Sequence, residues 1–145
     1  MIKNRVLIAT IILAPIFSLL FCSKNGIPAD NVIYLHKQHK TTRSSEAHLN
    51  QFSSVGNVIL DFYADWCGPC NRMSPIIDGV AAIMPGYTFI KINRDYFVDL
   101  GKLFNITSIP TLIFLQDGKE IGRYNGGPLT QDKLAKIISQ MYQKQ

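Results

Sequence analysis

The sequence predicts an α/β fold in which a central mixed β-sheet carries helices on both faces, with elements in the order βαβαβαββα. Apolar, β-rich runs alternate with helical patterns, which is typical of such sheets. The last two strands are joined by Asp117-Gly118, a turn signal that predicts a hairpin and therefore an antiparallel edge. With 145 residues, of which 47% are hydrophobic and 17% charged, the chain suits one folded domain.

The first strand and helix are predicted from short patterns. Val32–Leu35 is a β-rich run, and a serine at position 44 or 45 caps a helix that ends near residue 53. Leu49 and Phe52 have the spacing of residues that face inward from such a helix.

The elements after residue 57 have stronger patterns. Two strands are apolar on both alternating faces, which predicts burial on both sides of the sheet. Pro75 falls inside the helix between them and predicts a kink. The predicted elements are strand 58–64, helix 68–84, strand 87–93, helix 95–104, strand 111–115, strand 120–125 and a last helix capped by Thr130. Apolar residues recur at helical spacing in the last helix, at Leu134, Ile137, Ile138 and Met141.

The N-terminal segment has the layout of an export signal. The 17 residues Val6–Cys22 include no charged residue and follow Lys3 and Arg5, which indicates a secretory signal or a membrane anchor. We therefore divide the chain into a signal peptide or anchor at 1–24, a linker at 25–30 and a folded domain at 31–145. Cleavage and retention as an anchor through residues 6–22 both stay open, as does lipidation of Cys22.

The charge of the chain favours no nucleic-acid partner. The formal net charge is +5, and two of the positive charges lie in residues 1–22. Residues 36–43 form one basic stretch, but no aromatic side chains interleave it and no nucleic-acid motif accompanies it. We interpret this stretch as a solvated loop.

Cys67 and Cys70 are the only cysteines outside the export segment. A disulfide that closes so short a loop restrains the unfolded chain little and would add little stability. We therefore interpret the pair as chemically reactive thiols. At the start of a helix the first thiol meets converging N–H groups that favour its thiolate. We therefore assign Cys67 as the nucleophile and Cys70 as the resolving thiol. The alternative is that the two cysteines form half of a zinc site and that His36 and His39 supply the other half. We predict that no metal is bound.

Asp61 is the second candidate for chemistry. It lies inside an apolar strand six residues before Cys67, where desolvation raises the pKa of a carboxyl group. Such an acid could accept the proton of Cys70 as that thiol attacks. The alternative is an aspartate paired with backbone N–H groups or with a cation such as Lys91.

The segment from Asp61 to Cys70, with its Trp-Cys-Gly-Pro-Cys motif, resembles the active-site strand and loop of the thioredoxin family. The resemblance covers roughly residues 31–145 and implies a thioredoxin-like fold. Tyr63 and Asn71 depart from the common family pattern, in which tryptophan and lysine are frequent. Further matching positions, in the family's order, are Pro75, Lys91, Ile109-Pro110-Thr111, Asp117-Gly118 and Gly126.

The resemblance also implies roles for single residues. Pro110 would form a cis peptide bond beside the disulfide, and Lys91 would lie near Asp61 and tune its pKa. The substrate groove would be lined by Trp66, Gly68, Pro69, Ile109, Pro110 and Gly126. No cofactor is implied.

These observations predict a protein-disulfide reductase that acts on protein substrates outside the cytoplasm. We expect a periplasmic or membrane-anchored location and a membrane-linked redox donor. Two alternatives stay open. The protein could be a disulfide donor or isomerase in an oxidising compartment, or a membrane-tethered module that binds peptides without catalysis.

Overall fold

The computed structural model describes residues 30–35 and 45–143, and its elements follow the predicted order. The predictions for the export segment, the linker before residue 30 and the stretch 36–43 therefore lie outside the described residues. The elements are β1 (Val32–Leu35), α1 (Ser45–Ser53), β2 (Asn57–Tyr63), α2 (Gly68–Ile83), β3 (Thr88–Asn93), α3 (Val98–Leu103), β4 (Thr111–Gln116), β5 (Lys119–Asn125) and α4 (Gln131–Gln143).

The five strands form one mixed sheet, as the sequence predicts, and their order across the sheet is β1-β3-β2-β4-β5. Strands β1, β3 and β2 are parallel, whereas β4 is antiparallel to β2 and β5 is antiparallel to β4. The central strand β2 is covered by an apolar layer on each face, which explains why its residues are apolar on both faces.

Side chains of β2 alternate between two apolar layers. Leu60 and Phe62 pack in the layer covered by α1 and α3, which includes Leu49 and Leu100. Ile59 points into the opposite layer, beneath α2 and α4. Asp61 has the same parity as Ile59, so it is directed toward α2.

Helix α3 is shorter than predicted and begins at Val98 instead of near Asp95. The side-chain oxygen of Asn93 accepts a hydrogen bond from the N–H of Asp95 at 3.0 Å, and its carbonyl accepts from Tyr96 and Phe97. These bonds form a turn that competes with the first helical turn.

In the C-terminal half, the predicted hairpin turn and the predicted helix cap are both confirmed. Asp117 and Gly118 have φ of 48° and 76°, the left-handed conformation that a tight hairpin needs at both central positions. Thr130 accepts a hydrogen bond from the N–H of Lys133 through its hydroxyl at 3.3 Å, and thus caps α4. Helix α2 continues through Pro75. Within residues 30–35 and 45–143, no helix is long and apolar enough to cross a membrane.

Candidate active site

The predicted redox pair is present as a disulfide at the start of α2. Cys67 and Cys70 are joined by an S–S bond of 2.03 Å, with their Cα atoms 5.2 Å apart. Cys67 caps the helix: its sulfur accepts a hydrogen bond from the N–H of Cys70 at 3.2 Å. Pro69 lies in the first turn, where its missing N–H leaves no bond unmade. The helix terminus therefore places the N–H of Cys70 at the sulfur that is expected to carry the charge.

Exposure does not distinguish the two cysteines. Each is 4% exposed in the disulfide form, because both pack against Ala64 and the partly buried Tyr63 and Ile109. Their surroundings differ instead. Cys67 occupies the cap position, whereas Cys70 lines a small cavity.

Asp61 lines that same cavity, which has a volume of about 70 Å³. The carboxyl is 4% exposed, and no described side chain donates a hydrogen bond to it. Burial raises its pKa to about 7, while the positive charge of Lys91 lowers it and the negative charge of Asp78 raises it further. A space of this size admits water, and it is shared by a carboxyl group of near-neutral pKa and the side chain of Cys70.

Lys91 is adjacent to Asp61 on the neighbouring strand, as the resemblance implied. Its ammonium, however, forms an ion pair with Asp78 at 2.6 Å. Further hydrogen bonds go to Ser74 at 2.7 Å and Tyr34 at 3.2 Å. Lys91 thus acts on Asp61 through its charge alone. We did not identify these three partners from the sequence, although Cys70, Ser74 and Asp78 recur at a four-residue spacing that signals one helix face.

The loop before β4 completes the surroundings of the disulfide. The Ile109-Pro110 peptide bond is cis, as predicted. Ile109 packs against the cysteine cluster, and the N–H of Gly126 donates to the carbonyl of Pro110 at 3.5 Å. The structure therefore brings together the cysteines, Pro110 and Gly126, which are far apart in sequence.

Trp66 is 70% exposed next to the disulfide. Its Nε1 donates a hydrogen bond to the carboxylate of Asp95 at 2.8 Å. We missed Asp95 because its contact with Trp66 spans 29 residues, and its position after a strand carries no specific signal.

The zinc alternative stays open, because it needs His36 and His39. In the described part of the chain, no group of three or more histidine, cysteine, aspartate or glutamate side chains could hold a metal ion. His36 and His39 lie outside the described residues, and both sulfurs of the pair are committed to the disulfide.

A cysteine pair at the start of a helix, a buried acid behind it and a cis-proline beside it define a protein-disulfide oxidoreductase. The family model described as Thioredoxin matches residues 37–140. The thioredoxin of Chlamydia trachomatis is 40% identical over 84 residues, which cover 58% of this chain and 81% of that protein.

Solved structures agree with this class. A mutant thioredoxin from Halobacterium salinarum superposes with a TM-score of 0.66 at 26% identity, covering 79% of this chain and 94% of that one. The thioredoxin NaTrxh from Nicotiana alata gives 0.64 at 31% identity, covering 77% and 92%. The chain belongs to the thioredoxin family.

Proposed function

We propose that this protein reduces disulfide bonds of protein substrates outside the cytoplasm, with Cys67 as the attacking and Cys70 as the resolving thiol. The observation that carries the proposal is the shared cavity of Cys70 and Asp61. It places a buried carboxyl with a pKa of about 7 on the side of the thiol that must be deprotonated for the second step.

The reaction transfers two electrons from the reduced protein to the substrate. The Cys67 thiolate attacks one sulfur of the substrate disulfide, which forms a mixed disulfide and releases the first substrate thiolate. Asp61 then takes the proton of Cys70, directly or through water. The Cys70 thiolate attacks the sulfur of Cys67, the second substrate thiolate leaves, and the Cys67–Cys70 disulfide forms.

The substrate peptide is proposed to bind across the exposed surface beside the disulfide. Trp66 offers a large exposed ring, Ile109 packs against the cysteines, and Gly126 is hydrogen-bonded to Pro110, the residue after Ile109. Gly68, next to Cys67, and Pro69 present only small or rigid side chains at the motif itself, which leaves room for a partner's backbone to approach.

Export and a membrane-linked electron donor are proposed from the N-terminal sequence. The uncharged run Val6–Cys22 follows two cationic residues, the layout of a secretory signal or anchor. A reductase outside the cytoplasm must regain two electrons per turnover from a donor that reaches that compartment.

Two cysteine variants test the exchange reaction. Cys67→Ser should abolish reduction of insulin-type disulfides. Cys70→Ser, expressed in the native compartment, should hold substrates covalently on Cys67 for identification. The absence of trapped partners would contradict the proposal, and a cellular phenotype that survives Cys67→Ser would favour a binding module.

The direction of electron flow needs a separate measurement. A reduction potential near the value of about −270 mV typical of thioredoxin would support a reductase. A much higher potential, together with oxidation of a reduced substrate, would favour a disulfide donor or isomerase.

A further inference from the structure

The buried ammonium of Lys91 has used all of its hydrogen-bond donors. Lys91 is 2% exposed, and its Nζ lies 3.2 Å from the hydroxyl of Tyr34, 2.7 Å from that of Ser74 and 2.6 Å from a carboxylate oxygen of Asp78. An ammonium group carries three N–H donors and no acceptor. Three partners therefore leave none for the carboxyl of Asp61.

Three strands place these side chains in one row. Tyr34 in β1 is in register with Lys91 in β3, and Lys91 is in register with Asp61 in β2. Residues in register on parallel strands project to the same face of the sheet. Lys91 thus has Tyr34 on one side and Asp61 on the other, and either could take a hydrogen bond from it.

Side chains of helix α2, rather than Asp61, accept the other two hydrogen bonds of the Lys91 ammonium. Cys70, Ser74 and Asp78 recur every four residues, so they share the helix face above the row. Ser74 and Asp78 hold the ammonium, while Cys70 lies next to the cavity that contains Asp61. Asp78 is 36% exposed, so its carboxylate remains partly hydrated while it neutralises a buried cation.

We propose that Asp78 is a positioning residue for the resolving attack of Cys70: with Ser74 and Tyr34 it holds the Lys91 ammonium so that no hydrogen bond reaches Asp61. This inference rests on the proposed role of Asp61 as proton acceptor. An ammonium bonded to Asp61 would stabilise the carboxylate and make it a weaker base. The charged and titratable groups around Asp61 are Lys91 from β3, Tyr34 from β1, Tyr63 from β2, and Cys70 and Asp78 from α2.

The test measures the pKa of Asp61 by carboxyl NMR in the reduced full-length protein. Asp78→Asn should lower this pKa by about one unit or more, since the released ammonium turns to Asp61. Ser74→Ala changes no charge but frees one donor, so it should lower the pKa by a smaller amount. The pH midpoint of the resolving step should move down by the same shifts.

The same substitutions are then made in the Lys91→Met variant, which has no ammonium group to release. Lys91→Met itself should raise the pKa of Asp61, and in its presence Asp78→Asn and Ser74→Ala should lose most of their effect. Glu46→Gln, which removes an exposed negative charge from α1, is the matched control and should leave the pKa of Asp61 unchanged.

Three results would overturn the inference. An unchanged pKa in both Asp78→Asn and Ser74→Ala would show that Lys91 is held by other means. A full effect of Asp78→Asn in the Lys91→Met background would show that Asp78 acts only through its own charge. An equal shift of the Asp61 pKa in Glu46→Gln would show that the effect of Asp78→Asn is not specific to its contact with Lys91. Failure of the exchange function itself would appear separately, as disulfide reduction that survives Cys67→Ser.

Discussion

Replacing Asp61 by asparagine should stabilise the folded protein at alkaline pH and have little effect near pH 4. Burial raises the pKa of this carboxyl from 3.8 to about 7. Between these two values the unfolded chain has released the proton and the folded protein still holds it. The stability linked to Asp61 is thus fully present below the unfolded value and declines as pH rises to the folded one.

The size of the effect follows from the shift. Each pKa unit corresponds to about 1.4 kcal/mol, so ionised Asp61 lowers the free energy of unfolding by about 4 kcal/mol above pH 7. The shift is large although Lys91 lowers the pKa, because desolvation is the first cause and Asp78 adds to it. Asparagine has the same shape and does not ionise, so the variant avoids this loss.

Urea unfolding of the oxidised protein at several pH values between about 4 and 8.5 measures this difference. The gap between Asp61→Asn and the unsubstituted protein should open as pH rises and become constant above pH 7. Asp132→Asn, at an exposed position in the first turn of α4, is the control and should show no such trend. A gap that does not depend on pH would refute the reasoning, because it would mean that Asp61 keeps an ordinary pKa.

Three further predictions follow from single contacts. Asp61→Ala should slow release of substrate from Cys67 by about 100-fold and the initial attack much less; rapid-quench trapping of the mixed disulfide measures both rates, and equal slowing would remove the proton-acceptor role. Asp95→Ala should lower the fluorescence anisotropy of Trp66, the single tryptophan, because the indole loses its 2.8 Å hydrogen bond; unchanged anisotropy would mean that other contacts hold the ring. Tyr142→Phe should reduce the free energy of unfolding by about 1 kcal/mol, because its partly buried hydroxyl lies 2.8 and 2.9 Å from two strand carbonyls; an unchanged urea midpoint would contradict this.

Local patterns were sufficient to predict most of the fold. The doubly apolar run around Asp61 predicted a strand buried on both sides, and Asp117-Gly118 predicted the antiparallel hairpin of β4 and β5. Both signals depend on the preferences of a few adjacent residues. The predicted start of α3 was wrong, because hydrogen bonds of Asn93 form a turn before the helix. The spacing of apolar residues does not reveal this turn.

The site was predictable only where its residues adjoin the motif or match the family. Cys67 and Cys70 follow from their spacing, and Asp61 from a charge inside an apolar strand. The partners of Lys91 depend on how α2 lies over the sheet. Lys91 is separated in sequence by 13 residues from Asp78 and by 57 from Tyr34, so no local pattern reveals these contacts. That Lys91 donates to Asp78 and not to Asp61 is visible only in the three-dimensional structure.

The hydrogen bond between Trp66 and Asp95 has a consequence for affinity. Ordering a flexible side chain at an interface typically costs about 0.5–1.5 kcal/mol of conformational entropy. An indole that is 70% exposed yet fixed through its Nε1 has lost much of that freedom before a partner arrives. In the proposed substrate groove, Trp66 would therefore present its ring to different peptides without a new entropic penalty for each, which suits brief binding and release.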